Sequence, residues 1–183
     1  MAHAERVVSD AQQPVDRRQV LRLIARGGAA AGVAAVAVGA MHGSAGAQAT
    51  DVIGSWITYI HLDDPPEDDI HMMTLAPGGI LLFSSESPLI PSPLPGLEEF
   101  WWNSGHGAWE QAADGTVQGQ FVVVVQDRNQ RPVYFACVRP RLRLAGPDML
   151  TGRFTFDFIP IGETEPAVTL GASIEAERVR ADG

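Results

Sequence analysis

The stretch PRLRLAGPDMLTGRFTFDFI, residues 140–159, decides the fold of this chain. In its first half Leu142 and Leu144 alternate with arginines, and in its second half Phe154 and Phe156 alternate with polar residues. A period of two residues is that of an antiparallel strand with one buried face. The Gly and Pro between the halves supply a tight turn. The stretch therefore predicts a β-hairpin whose leucines and phenylalanines point into a core.

The polar face of the same hairpin carries a row of arginines. Their simplest role is a solvated outer stripe, in which Arg141 or Arg143 pairs with Asp157 across the strands. The alternative is an anion site made by Arg139, Arg141 and Arg143. The sequence leaves both interpretations open.

Short β-branched and aromatic runs separated by turn residues continue on both sides of the hairpin, and no long helical period appears after residue 49. The predicted strands are 52–62, 70–76, 80–85, 99–104, 107–112, 116–126, 132–138, 140–145, 149–159 and 167–179. Most connections are short, so neighbouring strands should pair antiparallel in a meander. So many strands in one small domain must close into a barrel or fold into a sandwich, because open sheet edges invite aggregation.

Residues 17–49 have the composition of an export signal. Arg17 and Arg18 precede a run of Gly, Ala and Val, and Ala47-Gln48-Ala49 has the A-x-A form of a cleavage site. The run is too short and too weakly apolar for a membrane span, which needs about 20 strongly apolar residues. The segment resembles twin-arginine leaders, although Asp16 departs from their usual Ser or Thr. We therefore predict a cleaved signal peptide at 1–49, a β domain at 50–183, and an exported, periplasmic or extracellular protein that keeps no stable membrane anchor.

Charge and cysteine content disfavour several partners and a catalytic thiol. Five of the 13 basic and three of the 22 acidic residues lie in 1–49, which leaves 8 against 19 and a formal charge of −11 for 50–183. Such a charge disfavours nucleic acid and anionic membranes as partners. Cys137 is the only cysteine, so no internal disulfide can form, and its apolar run VYFACV predicts a buried thiol without a catalytic role.

The first predicted strand contains the G-x-W motif Gly54-Ser55-Trp56. It resembles the motif with which lipocalins and related calycins begin their first strand, and Gly107-Ala108-Trp109 repeats it in mid-chain. The resemblance implies a single antiparallel up-and-down β-barrel whose interior holds a small, mostly apolar ligand. It also implies that Trp56 closes one end of the barrel under a basic side chain, for which Arg178 is the candidate. The helix and disulfides of typical lipocalins have no counterpart in this sequence.

The chain is also similar, in size and predicted meander, to allene oxide cyclase-like barrels. That resemblance implies an isomerase or cyclase that folds an apolar substrate inside a shaped cavity. No G-x-S-x-G elbow, phosphate-binding glycine loop or C-x-x-C motif is present, which disfavours hydrolysis. The predicted function is therefore binding of a small apolar or amphipathic molecule, with isomerisation or cyclisation as the alternative. No cofactor is predicted for either.

Residues 99–110, EFWWNSGHGAWE, hold the densest group of tryptophans. Their indoles offer flat apolar walls for a ligand, and the glycines beside His106 let the backbone turn sharply and present its imidazole. We predict His106 at the mouth of the barrel as an acid or base, with Tyr59 as the other catalytic candidate; the alternative is a turn histidine beside core tryptophans. The predicted ligand-binding residues are Trp56, Trp101, Trp102, Trp109, Val123, Leu142, Phe154 and Phe156.

Two further segments bear on ligand binding. His61 and His71 flank the acidic loop 63–69, which we interpret as solvated, with a calcium or transition-metal site as the alternatives; no compact histidine spacing supports a metal, and none is predicted. Residues 86–97, ESPLIPSPLPGL, combine four prolines with apolar side chains. We predict that this segment folds over the open end of the barrel beside Trp102, and a partner-binding or dimer surface is the alternative.

Overall fold

The computed structural model describes residues 51–63, 68–85 and 90–180, so the predicted signal peptide lies outside the described residues. The strands are β1 (Gly54–Leu62), β2 (Asp68–Ala76), β3 (Ile80–Ser85), β4 (Ile90–Pro91), β5 (Glu99–Trp102), β6 (Gly105–Gln111), β7 (Val117–Gln126), β8 (Pro132–Gly146), β9 (Met149–Pro160) and β10 (Val168–Arg178). Within these ranges no helix is long and apolar enough to cross a membrane. The predicted all-β class is confirmed.

Eight of the described strands close into one antiparallel barrel, in the order β1-β2-β3-β6-β7-β8-β9-β10. The last strand, β10, pairs with β1, which closes the ring. The two others extend its rim, because β4 pairs with β5, and β5 pairs with the end of β7. Neighbours in the ring follow one another along the chain, so the predicted up-and-down barrel is confirmed.

The β8–β9 hairpin forms where its alternation predicts it, with Gly146 opposite Met149 at the turn. The prediction of two separate strands, 132–138 and 140–145, is wrong, because β8 runs unbroken from Pro132 to Gly146, through Pro140. A proline lacks the N–H that a strand ladder needs. β8 pairs with β7 on both sides of Pro140 but not at it, so the missing donor falls in a gap of that ladder.

The interior of the barrel is an aromatic core. Trp102 lies 5.7 Å from Phe156 and 5.6 Å from Phe158 between ring centroids, and Phe83 and Phe121 stack at 4.7 Å. All five side chains are buried. An eight-stranded barrel is just wide enough for side chains to fill it or for one small ligand. In this conformation side chains occupy the interior, so a ligand must displace one of them to enter.

One end of the barrel, the Trp56 end, is closed by Trp56 and Arg178. The Arg178 guanidinium lies 4.2 Å from the centroid of the Trp56 ring, and its Nη1 donates to the carbonyl of Ile53 at 2.8 Å. A Cβ at Gly54 would lie 2.8 Å from that Nη1, which explains the glycine of the G-x-W motif. The contact that the lipocalin resemblance implied between Trp56 and Arg178 is present.

The other end, the lid end, is closed by residues 92–98, the lid segment. Leu94 belongs to the buried core and is only 3% exposed. Tyr134 Oη donates to the carbonyl of Pro95 at 2.9 Å, and the segment turns on itself through a bond from Ser92 N to the carbonyl of Glu98 at 2.9 Å. The described part of the proline-rich segment therefore lies over the end of the barrel beside β5, and residues 86–89 lie outside the described ranges.

The outer face of β1, β2 and β3 is also apolar. Ile57 is paired with Met72 across β1 and β2, and Leu82 is paired with Thr74 across β2 and β3. The isoleucines at 57, 70 and 80, together with Met72 and Leu82, are all at least 37% exposed. These three strands thus carry apolar side chains on both faces, and hydrophobicity alone does not show which face is inside.

Candidate functional site

Most of the residues predicted to bind a ligand do line the interior. The buried core contains Trp56, Trp102, Trp109, Val123, Leu142, Phe154 and Phe156. Trp101 is the exception: it is half-buried outside that core, and its Nε1 donates to the carbonyl of Asp127 at 2.9 Å. The predicted residues are spread along the whole barrel, so they line the core but do not define one binding site.

His106 and Tyr59, the predicted catalytic residues, do not meet in that interior. His106 is exposed, and its two cross-strand neighbours are Leu82 and Val122. Tyr59 is half-buried on the strand face opposite Trp56, paired with Glu175. Any catalytic role of His106 or Tyr59 would be exerted from the outer surface, and such a role stays a prediction.

The glycines beside His106 serve close packing of strands and form no turn. Gly105 and Gly107 lie inside β6. A Cβ at Gly107 would collide with the carbonyl oxygen of Gln120 and the backbone of Phe121, and one at Gly105 would lie 2.8 Å from the Phe121 ring. The expectation of a sharp turn that presents His106 is therefore wrong, because β6 needs glycine to approach β7 and the large Phe121 side chain.

His71 is a buried residue with a titratable side chain in the described interior, where it is paired with the buried Thr58 of β1. Its side chain is only 2% exposed, and its ring centroid lies 4.7 Å from that of Phe83. Nε2 lies 2.8 Å from Oδ2 of Asp69. An ionised carboxylate only accepts hydrogen bonds, so in the neutral imidazole the ring proton is on Nε2. The other ring nitrogen, Nδ1, is buried and has no hydrogen-bond partner. In this tautomer, Nδ1 is a free acceptor inside an aromatic core.

Trp102 supplies the matching donor. The chain has four tryptophans, and three of their indole nitrogens donate to carbonyl oxygens: Trp56 to Val52 at 3.1 Å, Trp101 to Asp127 at 2.9 Å and Trp109 to Ala76 at 3.0 Å. Only Nε1 of Trp102 is buried without a partner. The Trp102 ring packs edge-on to His71 with 6.5 Å between centroids.

The unpartnered acceptor and donor therefore occupy the same part of the core. His71 is paired with Ser85 at the end of β3, and Trp102 is paired with Val125 near the end of β7. The lid segment closes this end, since Tyr134, which bonds it, is also paired with Val125. A buried polar atom without a hydrogen bond costs about 1–3 kcal/mol. We define His71, Trp102 and the lid segment above them as the candidate ligand site.

The two histidines that flank the acidic loop do not come together. Nδ1 of His61 bonds Oδ1 of Asp68 at 2.7 Å with 42% of its side chain exposed, whereas His71 is interior. Among the residues that the structure describes, no group of three or more His, Cys, Asp or Glu side chains is placed to hold a metal ion. The calcium alternative involves residues 64–67, which lie outside the described ranges, and it stays a prediction.

Cys137 lies on the outer side of β8, in a small second cluster with Phe135 and Ile159. Burial raises the pKa of its thiol to about 11, and the negative charge of Asp157 acts in the same direction. The prediction that Cys137 is a buried thiol is thus confirmed. A thiol with this pKa is protonated at neutral pH and is a poor nucleophile.

Comparison with known proteins shows no family for this chain. No protein-family model matches the chain, and no curated protein matches it. A solved structure of a redesigned β-barrel is similar to 73% of this chain and 96% of its own, with 14% sequence identity and a TM-score of 0.38. The strand pairing shows an eight-stranded antiparallel barrel, and the polar groups of its lid end are the best-defined candidate site.

Proposed function

We propose that this protein binds a small amphipathic molecule at the lid end of its barrel. We further propose that it does so outside the cytoplasm, since its leader-like segment resembles an export signal. The observation that supports the binding most is the pair of buried, unpartnered atoms, Nδ1 of His71 and Nε1 of Trp102. The third such atom among the described residues is Nε2 of Gln120 in β7. Buried polar groups are nearly always hydrogen-bonded in folded proteins, so an acceptor and a donor left together at one end of the core point to a missing partner.

The chemistry of the pair specifies the polar part of that ligand. Nδ1 accepts a hydrogen bond and the Trp102 indole donates one. A hydroxyl group does both at once, donating to His71 and accepting from Trp102. The surrounding Phe156 and Phe158 rings offer only apolar contact, so the rest of the molecule is apolar. We therefore propose an alcohol or phenol with a compact hydrocarbon body.

Entry requires the lid segment to move. Leu94 is the lid residue in the core, and the Tyr134–Pro95 bond is the one described side-chain hydrogen bond between the segment and a barrel strand. A ligand that takes the space of Leu94 would lie among the same aromatic rings. The energy of displacing Leu94 is offset by the two hydrogen bonds that the ligand completes.

A naphthol and its methyl ether form a matched probe pair, because the ether keeps the ring system and loses the donor. We expect the naphthol to bind about fivefold or more tightly, measured by fluorescence titration. The preference should disappear in His71→Phe and Trp102→Phe. His61→Phe is the control, since His61 also bonds an aspartate but lies outside the core. Equal affinity for the two probes in the unaltered protein would refute the hydroxyl site.

A second candidate function rests on the Asp69–His71 pair. A carboxylate that holds an imidazole, with the second nitrogen directed into an apolar interior, is an arrangement suited to proton transfer. This supports the isomerase alternative with His71 as the base in place of His106 or Tyr59. The test is deuterium incorporation from D₂O next to the carbonyl of an alkyl naphthyl ketone. Exchange no faster than with His71→Phe would eliminate this function and leave the binding proposal intact.

A further inference from the structure

A concavity on the outside of the barrel is lined mainly by arginine and threonine side chains. It has a volume of about 310 Å³, at the lower end of the range for ligand pockets, which is about 300–1,000 Å³. Its lining consists of three arginines, two threonines and a glycine: Thr116, Arg141, Arg143, Thr151, Gly152 and Arg153. No carboxylate belongs to this lining, although acidic residues outnumber basic ones in the chain, 22 against 13.

The strand register brings two of the arginines together. Arg141 of β8 is directly opposite Arg153 of β9, and Arg143 follows two residues later on the same face. Like charges directly opposite one another on a sheet are destabilising. The expected pairing of Asp157 with Arg141 or Arg143 is wrong, because the register places Asp157 opposite Cys137, and its carboxylate reaches the diagonal neighbour Arg139 at 2.6 Å.

Two of the three pocket arginines are held by neighbours. Arg143 Nη2 bonds Oδ2 of Asp114 at 2.8 Å, and its Nε donates to the buried hydroxyl of Thr116 at 2.9 Å. Hydrogen bonds from the backbone and side chain of Thr116 lower the pKa of Asp114, so this carboxylate stays ionised. Arg153 is held by Asp63.

Arg141 differs from both. It is exposed, and no hydrogen bond or ion pair joins its side chain to any residue in the ranges 51–63, 68–85 and 90–180. Its neighbour across the β7–β8 ladder is Gln118, which is neutral and bonds Glu110 at 3.0 Å. One positive charge of the pocket is therefore uncompensated, between two arginines whose positions are fixed.

We propose that this pocket binds an oxyanion, a phosphate or sulfate group that is either free or esterified to a larger molecule. Arg141 and Arg153 contact it from adjacent strands, and Arg143 completes the set of donors. Bound there, the anion relieves the repulsion between Arg141 and Arg153. Guanidinium groups suit this ligand because their planar forks match its oxygen geometry. The pocket is on the outer surface, so this proposal is independent of the interior ligand site.

The test is calorimetric titration of inorganic phosphate, sulfate and glycerol phosphate into the full-length protein at low ionic strength. Arg141→Gln removes the uncompensated charge, and Arg128→Gln makes the same charge change at an exposed turn residue outside the pocket. We expect saturable binding to the unaltered protein and to Arg128→Gln, weakened about tenfold or more in Arg141→Gln. Tighter binding of glycerol phosphate than of phosphate would identify an esterified ligand, and equal binding would identify the free anion.

Thermal stability supplies a second readout. In chloride, Arg141→Gln should be at least as stable as the unaltered protein, because it removes the repulsion with Arg153. Phosphate and sulfate stabilise most proteins by exclusion from the surface, so the informative quantity is the additional rise in Tm that Arg141→Gln loses and Arg128→Gln keeps. Equal phosphate affinity in all three proteins, or no binding to any of them, would overturn the proposal.

Discussion

Replacing Arg178 by Met should remove the cation–π contact and the guanidinium hydrogen bonds that close the Trp56 end, while keeping an unbranched side chain over the Trp56 ring. Arg178 makes three contacts with Trp56 and the chain before β1: the cation–π contact at 4.2 Å, the bond to Ile53 O at 2.8 Å and a bond to Asp51 O. The first two of these involve atoms that are largely removed from water, since Trp56 is fully buried and the Arg178 side chain is 21% exposed. Its Nε also lies 3.4 Å from the Asp148 carboxylate and from the carbonyl of Pro147.

The magnitude follows from these contacts. A partly desolvated cation–π contact contributes about 1–2 kcal/mol. Each hydrogen bond from a charged donor contributes about 1.5–3 kcal/mol, and two carbonyls lose their donor. Fixing the long side chain costs about 2 kcal/mol of conformational entropy, which the substitution returns in part. We therefore expect Arg178→Met to lower the free energy of unfolding by about 2–6 kcal/mol.

Urea denaturation followed by circular dichroism measures this loss, provided that the m value is unchanged. Arg180→Gln is the matched control, because Arg180 also bonds Asp148 but makes no described contact with Trp56. We expect Arg180→Gln to leave the denaturation midpoint nearly unchanged, and Arg178→Lys to fall between the control and Arg178→Met. A midpoint for Arg178→Met equal to that of the control would refute the idea that Arg178 fastens this end.

Three other predictions follow from particular contacts. The raised pKa of Cys137 means that the folded protein keeps a proton that the unfolded chain loses, so stability should fall as the pH rises from about 9 to about 11. Cys137→Ala should remove that decline in urea midpoints, and its persistence would contradict the assignment. Gly107→Ala should cost about 1–3 kcal/mol of stability through its collision with β7, whereas Gly146→Ala, with open space around its Cβ, should be neutral; equal midpoints would show that β6 can shift. His106→Ala should leave naphthol affinity unchanged, because the imidazole is outside the barrel; a weaker titration would place the ligand elsewhere.

The fold was predictable where one strand face is apolar and the other polar. In β9 the inward Phe154 and Phe156 alternate with Thr155 and Asp157, and the structure has the predicted faces. The Trp56–Arg178 contact joins residues at opposite ends of the β domain, and only the family resemblance suggested it. Local patterns give the faces of a strand, but they do not give its partner across the barrel.

The candidate site was not predictable in the same way. His71 follows Ile70 and precedes Met72, both of which are exposed, so the apolar residues of β2 do not show that the histidine points inward. The one sequence signal was the two-residue spacing of His71 from Met73 and of Met73 from Leu75, which puts all three on the same, buried face of β2. The glycine pattern at His106 was misleading for a related reason. Close approach between strands requires glycine as strictly as a turn does, and only the pairing of β6 with β7 tells the two apart.

The two ends of the barrel differ in what holds them closed, and this difference favours the lid end as the site of function. At the Trp56 end, Arg178 binds carbonyls of the chain before β1, so both edges of the closing β1–β10 pair are fastened together. At the lid end, a proline-rich segment rests on apolar contacts and the Tyr134 hydrogen bond, above polar atoms that have no partner. Segments with few hydrogen bonds to the rest of a fold open at the lowest free energy. The end that opens most easily is thus also the end whose buried groups gain most from a ligand.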